Sequence, residues 1–288
     1  MKKYIFQFAI LTVIFLSSCE DPIDLEVDPQ EKQLSVDAFL TNLPDTQKIV
    51  LKLSKGFFES ATQAPVTGAN VKVIGSDGKT YLFDDSDNDG VYIWNDSILA
   101  HEDISYQLSI EYDGEVYTAN QTAFPVPIID SLVTGPVVST FGPPAEPGAL
   151  QVELFAKDIP NQQNFYWFRY YRNDTLNTDA GGINVAQNGG DSPNSDGVLF
   201  IPPIRYVSFN DFGRPYQAGE KVKIQIWSIN QDTYLFFKQV ASQINNGGLF
   251  AVPPSNVRTN IISSSEEIEK KAIGMFSVSL VIQEEANF

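Results

Sequence analysis

Asn70-Val71-Lys72-Val73-Ile74-Gly75-Ser76-Asp77-Gly78-Lys79-Thr80-Tyr81-Leu82-Phe83 reads as a strand, a turn and a strand. Val71 and Val73 alternate with polar neighbours, the period of a half-buried strand. Asp77-Gly78 is a dipeptide that two-residue hairpin turns prefer, because their geometry needs positive φ where glycine meets no steric penalty. The same device recurs on either side. Gly90–Trp94 follows Asp89-Gly90, and Asp113-Gly114 separates Ser105–Glu111 from Glu115–Thr122. Tyr106, Leu108 and Ile110 share one face. Upstream, Gln33–Leu40 and Lys48–Leu53 also alternate. Short strands at regular spacing, joined by tight turns and with almost no helical periodicity, predict a mainly β chain built as a β-sandwich.

Phe124-Pro125-Val126-Pro127 interrupts the pattern. Alternate prolines favour an extended connector, so the domain boundary is placed there. Strands resume over Ile128–Val138, Leu150–Ala156, Phe165–Tyr171, Val198–Phe209, Glu220–Ile229 and Gly274–Ile282. Gly142–Gly148 and the Asn/Asp/Gly/Ser-rich stretch 173–197 read as loops, the second long enough to be functional. One helix is expected near 232–244, where Tyr234, Phe237, Val240, Ala241 and Ile244 fall at three-to-four spacing and Gly247-Gly248 follows. Ser264-Ser265-Glu266-Glu267 has the form of a capping box for a second, brief helix.

The first nineteen residues address the chain. Lys2 and Lys3 precede an apolar run from Ile5 to Leu16, which ends in Leu16-Ser17-Ser18-Cys19. The run is short of the roughly 20 residues a membrane span needs and fits the central region of a secretion leader, residues 1–18. Cys19 is the only cysteine. Its position marks it for lipidation, which would make it the acylated N-terminus and tie the protein to a membrane. The alternative is an ordinary leader with an incidental cysteine. Residues 19–32, acidic and punctuated by Pro22 and Pro29, read as a tether.

The remaining composition excludes much. Nineteen basic residues against 36 acidic ones give a net charge of −17, which repels nucleic acid and anionic headgroups. His101 is the only histidine and lies in a polar stretch. A His/Cys zinc site and a Cys-His nucleophile are therefore out of reach, and a Ser-His-Asp triad would have to use this loop residue. No phosphate-binding glycine loop or dinucleotide fingerprint occurs.

Two stretches carry chemistry in principle. Asp85-Ser86-Asp87-Asn88-Asp89-Gly90 has the D-x-D-x-D-G spacing of calcium loops, with Asp96 at the twelfth position. Alternating Asp85, Asp87 and Asp89 could converge on one hard cation, as structural calcium. A plain turn between strands uses the same residues. Phe165-Tyr166-Trp167-Phe168-Arg169-Tyr170-Tyr171 is either a stacking platform for a glycan or a strand buried on both faces. A hydrolase using two carboxylates stays open as well, since 36 acids single out no pair.

The order of these features resembles a known family. Behind the lipobox and tether come Pro65-Val66-Thr67-Gly68-Ala69-Asn70-Val71-Lys72-Val73, Asp77-Gly78, Asp89-Gly90-Val91-Tyr92 and Tyr106-Gln107-Leu108-Ser109-Ile110. Tyr117-Thr118-Ala119 and Pro125 follow, and then Asn256-Val257-Arg258-Thr259-Asn260-Ile261 and Gly274-Met275-Phe276-Ser277-Val278. The chain resembles the Bacteroidota-type lipoproteins of domain of unknown function 4249 (DUF4249). The resemblance implies no catalytic residue. It implies a non-enzymatic accessory of a TonB-dependent outer-membrane transporter, lipid-anchored through Cys19. The acidic residues behind Cys19 resemble the export signals of surface lipoproteins in such bacteria, implying an outward-facing placement. Val66–Tyr92 is also similar to prealbumin-like or carboxypeptidase-regulatory-like modules. The expectation is thus two β-sandwich-like domains: an immunoglobulin- or prealbumin-like one over 33–124, and a β domain with the packed helix over 125–288. A glycan- or peptide-binding surface module is the rival reading.

Overall fold

A computed structural model describes residues 32–55, 62–96, 99–137, 147–178, 183–188, 216–247, 257–267 and 270–288. Cys19, the leader, the tether up to residue 31, most of 173–197 and all of Val198–Phe209 lie outside the described residues. Residues 32–288 form one compact unit. Strands are numbered along the chain.

The first sandwich has two sheets. One contains β1 (Leu34–Thr41), β2 (Gln47–Leu53), β5 (Val91–Trp94) and β15 (Ala272–Ser279), in the order β15-β1-β2-β5. The other contains β3 (Asn70–Gly75), β4 (Thr80–Phe83), β6 (Ser105–Tyr112), β7 (Glu115–Thr122) and β14 (Ile262–Ser263), in the order β14-β7-β6-β3-β4. Inward residues alternate as the pleat requires. Leu34, Val36, Ala38 and Leu40 meet Val71, Val73, Tyr106, Leu108 and Ile110 in one buried cluster. The Asp113-Gly114 turn has φ of 50° and 77°, the paired positive values its sequence predicts.

Tyr106 locks this core. Its hydroxyl donates to the Leu99 carbonyl at 2.8 Å and accepts from the His101 N–H at 2.9 Å. Burial pushes the phenol up to about 12, against the pull of the His101 N–H. The neutral phenol therefore stabilises the fold fully below the unfolded value near 10, and that contribution is lost as pH rises toward 12. Tyr106→Phe should cost about 1–3 kcal/mol at neutral pH. It should also lose less stability than wild type between about pH 9 and 11. Urea unfolding at both pH values checks this; equal losses in the two proteins would refute it.

The second half pairs β8 (Ile129–Pro136) with β9 (Leu150–Ala156). They pack on a sheet containing β10 (Asn164–Arg172), β11 (Thr175–Leu176), β12 (Asn184–Asn188), β13 (Lys221–Ile229) and β16 (Val281–Asn287). Val152, Leu154, Tyr166, Phe168, Ile224 and Ile226 fill the interior between them. The helix α1 (Gln231–Ile244) covers the other face of that sheet, where Phe237 joins Phe165, Trp227, Ile229 and Val281.

The strand pairing does not divide at Pro125. β15 runs parallel to β1 over its full length, Leu34↔Ala272 to Thr41↔Ser279, and β14 pairs with β7. Residues from the far end of the chain thus complete the first sandwich. The cause is the exposed edge: β1 would otherwise present a row of unpaired backbone groups. The expected single strand over Gly274–Ile282 is two strands, because the chain changes sheets at Leu280. Asn42 holds the crossing point, its Oδ1 accepting from the Val281 N–H at 2.7 Å and its Nδ2 donating to the Val281 carbonyl at 3.3 Å.

The capping sequence at 264–267 is followed by helical backbone: the Ser265 hydroxyl accepts the Glu267 N–H, and the N–H of the 3₁₀-helical Lys270 donates to the Glu267 carbonyl at 3.2 Å. Ser264 itself is held to the sheet, its N–H donating to the Val116 carbonyl behind the pairing of Ile262–Ser263 with β7. One local expectation is corrected. Within the polar stretch 173–197, β11 and β12 form against β10, where pairing to an existing aromatic strand outweighs poor intrinsic propensity.

Candidate functional site

The Asp85–Gly90 loop is a turn that binds its own backbone. The two Asp85 carboxylate oxygens accept the N–H groups of Asp89 (3.1 Å) and Gly90 (3.2 Å), and Asp89 Oδ1 accepts that of Val91 (2.9 Å). Asn88 and Gly90 supply the positive φ values, 53° and 79°. Asp87 and Asp96 are exposed. Among the described residues, no three His, Cys, Asp or Glu side chains come together as a metal would require. Asp85, Asp87, Asp89 and Asp96 thus do not cluster as a calcium site here: Asp85 and Asp89 turn carboxylate oxygens onto the loop's own backbone N–H groups, while Asp87 and Asp96 face solvent. His101 is exposed.

The aromatic strand β10 divides by parity. Tyr166, Phe168 and Tyr170 are buried in the second core. On the other face Trp167 is half-buried, its ring tilted against Phe237 at 4.4 Å and against Trp227 at 5.1 Å. The Arg169 guanidinium lies over both indoles, 4.8 Å from Trp167 and 4.9 Å from Trp227, where a cation is attracted to the ring faces. Burial pulls Arg169 below its usual range, with Tyr171 and Asp37 opposing. Across from it, crowding raises the Asp37 carboxyl, while Lys52 and Arg169 pull it partly back. These rings are committed to α1 and β1, so the strand is neither a solvent-facing platform nor buried throughout.

A concave opening lies elsewhere. A cleft of about 420 Å³ forms where the ends of β7, β10 and β13 meet the start of α1. Six carboxamides line it: Asn120, Gln121, Gln163, Asn164, Asn230 and Gln231. Phe165 and the 42 % exposed Phe124 contribute rings. Asp232 is the one charged residue in the described lining and pairs with Arg258 at 3.1 Å. Two amides are tied to the scaffold. Asn230 Nδ2 donates to the Thr122 carbonyl at 3.0 Å, tying α1 to β7. Asn164 Nδ2 donates to the buried Asp158 at 3.1 Å and to the Ile159 carbonyl at 2.7 Å. Asp158 also accepts the Tyr166 hydroxyl at 2.7 Å, which holds the start of β10 in place.

Gln121 is the unusual member. It continues the inward row Tyr117, Ala119, Gln121 of β7 and is only 6 % exposed. Its Oε1 has no hydrogen-bond partner among the described residues. A buried amide oxygen without a donor carries a cost of about 1–3 kcal/mol. The signal was legible: a glutamine on the apolar parity of a strand, four residues before Pro125. Reading for carboxylates and rings passed over it, because an amide carries no charge and no catalytic motif.

The family model described as Domain of unknown function (DUF4249) matches residues 20–285. No curated protein matches the chain.

Proposed function

The chain belongs to the DUF4249 family, and from that premise we propose that it is a lipid-anchored outer-membrane lipoprotein acting as a non-enzymatic accessory of a TonB-dependent transporter. The observation that carries this reading is Leu16-Ser17-Ser18-Cys19 behind a basic, apolar leader. The family match begins at residue 20, directly behind Cys19, which supports a shared mature chain starting at the acylated cysteine. Among the described residues no helix is long and apolar enough to cross a membrane; in this reading the acyl chains supply the attachment. Each buried methylene contributes about 0.8 kcal/mol, and two or more chains anchor stably. The acidic surface suits a basic rim on the partner. The cleft offers a place for a solute, and its described lining holds a single carboxyl group already paired to arginine. That favours binding over carboxylate-pair hydrolysis, which needs two. The cleft also keeps the glycan- or peptide-binding reading in play as the way this accessory engages its cargo.

Detergent phase separation of native membranes tests the anchor. The wild-type protein should enter the detergent phase and incorporate labelled palmitate; Cys19→Ala should appear in the aqueous phase without label. Affinity purification from solubilised outer membranes should recover a TonB-dependent transporter. Aqueous partition of the wild type would refute the anchor, and recovery of no transporter would refute the partnership.

A further inference from the structure

The hydrogen-bonding groups of the cleft define what fits there. Gln121 Oε1 is buried without a hydrogen-bond partner among the described residues, and the side chains of Asn120, Gln163 and Gln231 are exposed in the same lining. The first N–H groups of α1 lack intrahelical acceptors, as at every helix start, and Asn230 does not cap them with its side chain. The cleft thus offers donors and acceptors together, close to an exposed ring at Phe124.

Three ligand classes fit poorly. An anion would meet Asp232 in the first turn of α1, on a chain of net charge −17. A cation would find one carboxylate, already bound to Arg258. An apolar ligand would strip water from four amides and return no hydrogen bond to any of them. A hydroxyl both donates and accepts, so a ring of hydroxyls can satisfy amide oxygens, amide N–H groups and the helix start at once. The apolar face of such a ring stacks on an aromatic side chain. The volume, about 420 Å³, falls in the roughly 300–1,000 Å³ range of small-molecule sites.

We infer that this cleft binds a neutral, polyhydroxylated ligand, a mono- or disaccharide unit, with Gln121 and the exposed amides as its polar contacts and Phe124 as its stacking ring. The inference deepens the accessory reading by naming the class of solute captured, and rests on it for its biological use. Binding itself needs neither anchor nor transporter, so the two can fail separately.

The test uses the full-length lipoprotein in a detergent without a sugar headgroup. Isothermal titration calorimetry with glucose, galactose, mannose, N-acetylglucosamine, maltose and cellobiose should find at least one binder with a Kd of about 1 mM or tighter. For a hexose binder or a disaccharide of it, the matching uronate should bind about tenfold more weakly, and Phe124→Ala and Gln121→Met should each weaken binding by roughly tenfold. Phe124 is a surface residue, so its variant reports on the ligand even where Gln121→Met fails to fold. No binding by any neutral sugar overturns the inference. So does a uronate or a short peptide that binds better, or affinity unchanged in Phe124→Ala.

Discussion

Replacing Gly274 by alanine is expected to abolish or nearly abolish the folded state. Gly274 sits in β15 opposite Val36, at φ +105°. A Cβ there would lie 1.9 Å from the Val36 carbonyl oxygen, 2.8 Å from its carbonyl carbon and 2.9 Å from its nitrogen. All three are backbone atoms of a central strand, so no side-chain rotation relieves the overlap. The strand pair must separate, and with it the core residues Phe276 and Val278 on one side and Leu34, Val36 and Ala38 on the other. Torsional strain alone costs about 1–3 kcal/mol. Separation of the pair brings the total to at least about 4 kcal/mol, against a typical net stability of roughly 5–15 kcal/mol. Gly114→Ala is the control, since Gly114 has φ +77° and open space around its Cβ position. It should show the strain cost without the overlap. Urea unfolding of both variants separates the two contributions. Gly274→Ala no more harmful than Gly114→Ala would refute the close approach of β15 to β1.

Removal of residues 272–288 is expected to be worse still, leaving no cooperative thermal transition. Those residues supply one strand to each half of the molecule. β15 covers the edge of β1, and β16 pairs with β13 from Lys221↔Asn287 to Trp227↔Val281. The truncation deletes the fully buried Phe276 and Val278 from the first core, and Phe288 from its stack on Tyr216 at 4.5 Å. Loss of a buried phenylalanine alone costs about 3–5 kcal/mol. Two newly bare strand edges then favour aggregation. Removal of residues 1–31, which precede the compact unit 32–288 in the chain, should leave the melting transition in place. Circular dichroism melts of the two truncations give the comparison. A sharp transition in the C-terminal truncation would mean that the halves fold without their last strands.

The elements of the fold were legible because their causes are local. Asp77-Gly78 and Asp113-Gly114 need positive φ within two residues, and the alternation of Tyr106, Leu108 and Ile110 repeats within five. The limits of Thr80–Phe83, Glu115–Thr122 and Leu150–Ala156 follow from such signals. The helix over 231–244 was legible for the same reason, with its apolar stripe one turn apart. The candidate site was legible only in part. Phe165 belongs to the aromatic strand that the sequence singles out, yet it lines a cleft through its place at the strand's end rather than through the row of rings. The Asp85 loop has calcium spacing, but whether carboxylates face an ion or their own N–H groups depends on torsions that spacing does not specify.

Taken alone, the sequence determined the mainly β class, the hairpins, the helix over 231–244 and the family, and it supplied the residues on which the proposed leader and Cys19 anchor rest. Each depends on residues near one another in the chain. Only the tertiary structure decided that β15 lies beside β1, more than two hundred residues earlier in the chain. It alone decided that β14 extends the β7 sheet, and that Gln121, Phe165 and the start of α1 enclose one cleft. Those outcomes turn on which exposed edge and which apolar face find each other, a choice made by burial and backbone pairing across the whole unit.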